Sequence, residues 1–317
     1  MNPPTTSQFK VAVTGAFGYS GRYITHRLLD QGHEVITLTN SPNRPNPFGN
    51  RVKAFPYHFD EPHRLSESLQ GVEVLINTYW VRFDHRLFSH QTAVANTKIL
   101  FQAARAAGVG RIVHVSITNP DANSPLPYFS GKAELESALT ALGLSHCILR
   151  PAVLFGKEDV LINNIAWSLR HLPIFGVFGR GNYRLQPIHV NDFAALAVLA
   201  ALNKQIEIID AVGPETFTYR DLVQTIKRTL GSKSTIVGIR PSAGYWACRI
   251  IGQLVGDVVI TREEIQGLME SRLCVDAPPR GTVKLTEWME QHKAILGRQY
   301  TSEMARRVDR TSQYRSN

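Results

Sequence analysis

The stretch Val11-Ala-Val-Thr-Gly-Ala-Phe-Gly-Tyr-Ser-Gly-Arg22 decides the fold. It opens as an apolar run, passes three glycines at three-residue spacing, and continues into a segment of helical periodicity over 21–31. Gly15 permits a tight turn out of the strand. Gly18 lets the backbone approach a pyrophosphate, and Gly21 lets the helix pack close to the strand. The N–H groups and positive dipole end of that helix suit an anion. Three glycines alone would say little, but the strand–turn–helix setting makes them a dinucleotide-binding signal.

Outward from this loop the first half alternates. Strands are expected at 10–14, 34–39, 52–57, 74–77, 111–116 and 145–150, with helices at 63–69, 90–107 and 132–142 between them. Nearly continuous apolar strands predict a parallel sheet covered on both faces. The expected class is α/β: a Rossmann-type doubly wound parallel sheet with a smaller, mostly helical C-terminal substrate region. Residues 8–150 form the dinucleotide-binding domain, and 187–212, with a strand at 206–210, return to it. Residues 151–186 and 213–300 form the smaller substrate or partner region, and 301–317 a basic tail. Residues 155–187 show few periodic features. Helices are expected at 219–230, 245–255, 262–273 and 285–296.

With 43% apolar and 19% charged residues among 317, the chain has enough apolar content for a sizeable core, which argues against disorder. The net charge of +9 is spread thinly. Its local concentration is the tail, where Arg298, Arg306, Arg307, Arg310 and Arg315 alternate with Glu303 and Asp309. There is no RNP, zinc-finger or basic-zipper pattern, so no nucleic-acid partner is expected. The excess reads as a solvated helix face and a frayed terminus; an anionic cofactor, an acidic partner or an anionic membrane surface are the functional alternatives. Cys147, Cys248 and Cys274 make no CxxC pair, which fits a reducing compartment. The longest apolar stretch, 244–260, carries Arg249, Gln253 and Asp257, so no transmembrane segment is expected. The start lacks the apolar run of a signal peptide, and the expectation is a cytoplasmic protein. His85, His90 and His189 show no paired-ligand spacing, so no metal is expected.

The second strand indicates which dinucleotide. An NAD site usually places a carboxylate at its end. Here it ends Leu38-Thr39-Asn40-Ser41, with Arg44 soon after and no carboxylate before Asp60. Asn40 as a neutral donor and Arg44 as a cation suit a 2′-phosphate, favouring NADP(H) over NAD(H).

Residues 128–132 read Tyr-Phe-Ser-Gly-Lys. In a helix beginning near Tyr128, that tyrosine and Lys132 lie one turn apart on one face. A tyrosine at its ordinary pKa is a poor acid–base group at neutral pH; a neighbouring ammonium would lower it. Tyr128 could then pass a proton to or from a carbonyl or alcohol oxygen during hydride transfer. Ser116 and Thr118, ending the fifth strand, could hydrogen-bond the same oxygen.

Together these residues resemble the extended and atypical branches of the short-chain dehydrogenase/reductase superfamily, which includes NAD-dependent epimerases and dehydratases. Thr14-Gly15-x-x-Gly18-x-x-Gly21 has the extended form of the loop. Arg150-Pro151-Ala-Val-Leu-Phe-Gly156 resembles the end of the sixth strand in epimerases. Pro187-Ile-His-Val-Asn-Asp192 resembles the segment that returns the chain to the nucleotide domain. Gly213-Pro-Glu-Thr-Phe-Thr-Tyr-Arg-Asp-Leu222 looks most like atypical members near the nucleotide-binding accessory subunit of mitochondrial complex I. The resemblance implies that Gly15, Phe17, Gly18, Tyr19, Ser20, Gly21 and Arg22 line the pyrophosphate and adenosine side, with Asn77 and Thr78 along a ribose. It makes Tyr128 the acid–base group, Lys132 the ribose anchor, and Ser116 or Thr118 the oxyanion partner. A homodimer through the long fourth and fifth helices is an expectation carried by the resemblance alone.

The chain also departs from the pattern. Ala93 stands where many extended enzymes have Asn, and only 11 residues separate Ser116 from Tyr128. His58 and Asp60 compete for the place of the third-strand acid. Tyr79, Trp80 and Phe83 are candidates for an apolar substrate wall, and Arg180 and Arg184 for contacts to an acidic substrate. Asn191-Asp192 reads as a helix cap, and His114 and Cys147 as core. Two readings stand: an oxidoreductase or epimerase with a small-molecule substrate, or a non-catalytic NADP(H)-binding assembly, structural or redox-sensing protein with a protein partner.

Overall fold

The structure, a computed structural model, describes residues 8–308. The strands of the first half are β1 (Lys10–Thr14), β2 (Glu34–Leu38), β3 (Val52–Phe55), β4 (Val74–Asn77), β5 (Arg111–Val115) and β6 (Ser145–Pro151). After them come β7 (Val153–Phe155), β8 (Ile174–Phe178), β9 (Arg184–Leu185), β10 (Pro187–His189), β11 (Glu207–Ala211), β12 (Phe217–Thr218) and β13 (Thr235–Ile239). The helices are α1 (Tyr19–Asp30), α2 (Pro62–Ser68), α3 (His90–Ala106), α4 (Pro127–Ala141), α5 (Leu161–His171) and α6 (Val190–Leu202). They continue with α7 (Tyr219–Leu230), α8 (Pro241–Val255), α9 (Arg262–Met269), α10 (Leu285–His292) and α11 (Glu303–Val308).

Seven strands pair in parallel in the order β11-β6-β5-β4-β1-β2-β3. Val13 of β1 aligns with Thr37 on one side and Ile76 on the other. Strand order reverses at β1, which opens a crevice at the carboxyl ends of β1 and β4, where this class of sheet binds ligands. Both faces are covered. Val13, Ile24, Leu28, Phe193 and Ala197 join α1 and α6 to one face. Leu75, Leu100, Phe101, Ile112 and Leu135 join α3 and α4 to the other. A third core, with Phe155, Ile165, Leu222, Ile226 and Met289, builds the smaller lobe from α5, α7, α9 and α10.

Several element boundaries differ from expectation for local reasons. Helix α1 starts at Tyr19 because Gly18, in extended conformation, is its N-cap. Helix α4 starts at Pro127, where a proline loses no hydrogen bond. Helix α9 stops at Met269 because Ser271 takes a positive φ of 56°. The stretch 155–187 is more ordered than its composition suggested. It contains α5, started by Asp159, whose Oδ1 accepts from the N–H of Ile162 (2.7 Å) and Asn163 (3.1 Å). It also contains β8, which pairs in parallel with β13. Asp192, read as a cap, instead accepts from the backbone N–H of Thr282 (2.6 Å) and Val283 (2.9 Å), holding the C-terminal segment to α6. His114 and Cys147 are buried as expected of core residues. In the tail, Arg306 and Arg307 are engaged in α11 rather than frayed; Arg310 and Arg315 lie outside the described residues.

Candidate functional site

The glycine loop sits at the carboxyl end of β1. Gly15 adopts φ +66°, a region only glycine enters cheaply, and its N–H donates to Leu38 O at 2.8 Å. A Cβ at Gly21 would lie 2.3 Å from the Gly15 carbonyl oxygen, so only glycine allows α1 this close to the turn. Glycine at the N-cap leaves the first turn of α1 without a side-chain cap. This backbone cradle, free of side chains at 15 and 18, fits a pyrophosphate. Phe17 is buried against Phe48.

Asn77 ends β4 and Thr78 follows it beside the loop, with their side chains bonded within the protein. The Thr14 hydroxyl donates to Asn77 Oδ1 (3.0 Å) and accepts from the Thr78 N–H (2.7 Å). Thr78 Oγ1 donates to Thr14 O at 2.6 Å, and the Asn77 amide meets His114 Nδ1 at 3.1 Å. Both side chains lock β4 to β1 and so shape the loop. Arg22 forms an ion pair with Glu158, which also accepts from Tyr23 Oη at 2.7 Å. The Tyr19 hydroxyl is buried with no hydrogen-bond partner among the described residues, and it reaches Gly156 of the Arg150–Gly156 motif.

At the adenosine end, Asn40 is exposed and borders a cavity of about 580 Å³ together with Thr39, Tyr57, His58, Asp60 and Asn96. His58 and Asp60 thus both reach the edge for which the sequence could not choose one. With Glu61 they bring three ligand-type atoms within 4.8 Å of one another. Arg44 is buried, and its Nη2 donates to the Arg306 carbonyl at 3.1 Å. Helix α11 therefore crosses the crevice. Arg306 donates to the Glu158 carbonyl, and Arg307 pairs with Glu303 (2.6 Å) and reaches the Trp80 carbonyl (3.4 Å).

Tyr128 and Lys132 share one face of α4, but their polar ends have different neighbours. The Tyr128 ring stands edge-on to Trp80 and to His90, each at 5.7 Å between centroids. Burial, and then the Glu264 carboxylate, push its pKa up to about 12. The Lys132 Nζ donates to Val115 O at 2.7 Å and lies 4.3 Å from the Trp80 ring centre. Burial pushes the ammonium down to about 7, with the Glu136 carboxylate acting in the opposite direction. The expected lowering of the tyrosine by the lysine is absent, because burial dominates both groups. Ser116 donates to Glu136 at 2.5 Å, and Thr118 donates to the Arg272 carbonyl at 2.9 Å. Neither hydroxyl is directed to the Tyr128 phenol.

Tyr19, Tyr128 and His90 line one cavity of about 960 Å³ between the two lobes. Its wall is mostly apolar, with Phe83, Leu126, Ile165, Phe175, Phe178 and Ile239 among its members. Trp80 and Tyr79 do not line it. Tyr79 packs with tilted rings against Tyr57 and Phe59 and accepts from Asn96 at 3.0 Å. Arg180 and Arg184 are exposed and lie outside the wall. His90 was weighed in the sequence only as a metal ligand. It is buried, and its Nδ1 lies 2.7 Å from the Asp84 carboxylate; burial lowers its pKa. Its position as the first residue of α3, one turn before Ala93, was the available signal.

Comparison with known proteins agrees with the fold. A mitochondrial NADH dehydrogenase [ubiquinone] 1 alpha subcomplex subunit 9 of Arabidopsis thaliana is 27% identical over 69% of this chain and 58% of its own length. The mitochondrial NADH-ubiquinone oxidoreductase 40 kDa subunit of Neurospora crassa is 28% identical over 73% of this chain and 64% of its own length. The chain thus matches about three fifths of these relatives. Among solved structures, the Citrobacter sp. triphenylmethane reductase complexed with NADP(H) superposes with a TM-score of 0.73 at 17% identity, over 89% of this chain and 99% of that one. Residues 11–210, from the glycine loop to the last strand of the large sheet, match the sequence profile of one family, and the chain belongs to it: the NAD dependent epimerase/dehydratase family.

Proposed function

We propose that the protein is an NAD(P)(H)-dependent oxidoreductase that reduces an apolar carbonyl compound. The observation that carries this reading is the Tyr128 phenol in the wall of a large, mostly apolar cavity beside the glycine loop. A nucleotide sugar would need cationic side chains in that wall. Of the arginines in that wall, Arg82 is paired with Glu264 at 2.5 Å and Arg306 donates to the Glu158 carbonyl, while Arg180 and Arg184 lie elsewhere. The wall therefore favours a reductase over an epimerase of charged sugars.

When bound, NAD(P)H supplies the hydride. Tyr128, with its pKa near 12, is protonated at neutral pH and donates its proton to the carbonyl oxygen. His90, held by Asp84, is our candidate for returning the proton to the phenol. Asn40, exposed at the edge of the adenosine-side cavity, and the lack of a carboxylate ending β2 support NADPH over NADH, with Arg44 held nearby on the Arg306 carbonyl.

The test is titration with NADPH and NADH followed by a screen of hydrophobic aldehydes and ketones. Tyr128→Phe is expected to lower kcat by about 100-fold or more and to leave cofactor affinity within about twofold. Undiminished turnover would remove Tyr128 from the mechanism.

A second reading is a cofactor-binding subunit without turnover. Trp80 over Lys132 and the inward hydroxyls of Ser116 and Thr118 favour it, as do the relatives named as respiratory-complex subunits. It expects cofactor binding, no reduction of any carbonyl compound, and a stable protein partner.

A further inference from the structure

Helix α8 is seated on the smaller lobe at Gly244, where a Cβ would lie 2.5 Å from the Phe178 ring and 2.8 Å from Ile239 Cδ1. The backbone itself rests on its support, so most side chains of α8 are left outside. Trp246, Ile250 and Leu254 recur at four-residue spacing and are 55%, 61% and 82% exposed. Side chains at that spacing align on one helix face. They form an apolar stripe about 12 Å long. Single exposed apolar residues are ordinary, whereas an aligned stripe marks a contact surface.

The charge around the stripe indicates what it contacts. Residues 222–256 contain Lys227, Arg228, Lys233, Arg240 and Arg249 and no Asp or Glu. Arg240 and Arg249 are exposed, and the Arg249 guanidinium lies 5.3 Å from the Trp246 ring centre. Arg262 covers Tyr245 at 4.7 Å. Of the nearest carboxylates, Asp257 accepts from Tyr300 Oη and from the backbone N–H of Glu303 and Met304, and Glu263 is offset by its neighbour Arg262. A second copy of the chain would set arginines against arginines. A tryptophan and two aliphatic side chains flanked by arginines instead match the headgroup layer of an anionic bilayer. The other side of the same helix, at Ala247, Cys248 and Ile251, lines the apolar cavity, and exposed Ile174 belongs to the same wall.

We propose that α8 docks the protein on an anionic membrane surface, laying the Trp246–Ile250–Leu254 stripe into the interface with Arg240 and Arg249 on the lipid headgroups. The cavity would then lie directly behind the docked helix. The proposal does not depend on Tyr128 turning over.

The test is flotation of the full chain with vesicles of phosphatidylcholine alone or mixed with phosphatidylserine. Binding is expected to be at least about tenfold tighter on the anionic vesicles and to weaken with salt. Ile250→Asp and Leu254→Asp, at exposed sites that leave the unfolding midpoint unchanged, should each reduce it by about tenfold or more. Arg240→Gln and Arg249→Gln should each reduce it about fivefold on anionic vesicles only. Absence of flotation with both vesicle types would overturn the proposal, as would binding indifferent to the α8 substitutions. A dimer in solution that Ile250→Asp splits, without vesicle binding, would assign the stripe to self-association instead.

Discussion

The Lys132 ammonium lies 4.3 Å from the centre of the Trp80 indole and donates to the Val115 carbonyl at 2.7 Å. Trp80 follows β4 at the mouth of the crevice, and its ring also touches the position where a Cβ of Gly131 would stand, at 3.1 Å. An ammonium that is to meet ribose hydroxyls must have this ring move aside.

Tryptophan emission should therefore report cofactor binding. NADPH is expected to quench it, and Trp80→Phe should remove at least about half of the quench while Trp167→Phe and Trp288→Phe keep theirs. Affinity in Trp80→Phe should stay within about threefold, since phenylalanine preserves a ring over the cation. An unaltered quench in Trp80→Phe would mean that the indole does not border the bound cofactor.

Lys132 also makes stability depend on pH. Burial holds its folded pKa near 7, against an ordinary value of 10.5. Between those values the unfolded chain binds the extra proton, so stability attributable to this group rises with pH across the window and is lost as pH falls through it. Lys132→Met removes that slope. Its unfolding midpoint, relative to the parent, should be highest at pH 7 and below and should converge on it toward pH 10. Parallel curves for the two proteins would show that the ammonium is not held at a depressed pKa.

Gly21→Ala tests the loop. The added Cβ would lie 2.3 Å from Gly15 O, a backbone atom that cannot rotate away. Overpacking of this kind costs about 1–3 kcal/mol. The variant should melt several degrees lower and bind NADPH at least about tenfold more weakly, measured by thermal unfolding and by titration. Normal affinity would show that α1 can retreat from the turn without disturbing the cradle.

What the sequence made legible follows from where each signal originates. The large sheet could be read because β1 and β4 are short apolar runs buried on both faces, and the glycines after β1 have one geometry that satisfies all three. The β8–β13 pair could not be read in the same way. Ile174 aligns with Thr235, about 60 residues away, and Gly176 and Gly238 interrupt both runs. A Cβ at Gly176 would meet the Ile239 Cδ1 at 2.4 Å, a contact of the pairing that no local pattern carries. In the site, the spacing of Tyr128 and Lys132 was correctly helical, but spacing does not say which way a buried amine turns. Asn77 ends β4 and Thr78 follows it, as the spacing implied, and their side chains close on Thr14. Arg180 and Arg184 offered charge without any indication of the surface they occupy.

The last prediction concerns Glu136, one turn after Lys132. Its carboxylate accepts from Arg150 Nε at 2.9 Å, again from Arg150 Nη2, and from Ser116 Oγ at 2.5 Å. Arg150 opens the motif that ends β6, so this network ties α4 to β5 and β6 beneath the candidate site. Glu136→Ala leaves the guanidinium without its partner and should cost about 2–4 kcal/mol, short of the fully buried case. The Arg150 side chain is 26% exposed, so water partly compensates it. Replacing both partners, as in Glu136→Leu with Arg150→Met, should recover much of that loss, and the double-mutant cycle measures the coupling. Ser116→Ala separates two roles for the serine. A hydroxyl that braces Glu136 predicts about 1 kcal/mol of lost stability with turnover nearly unchanged. A hydroxyl that holds the substrate oxygen predicts the reverse, a large fall in kcat at constant unfolding midpoint. The bond to Glu136 leads us to expect the first.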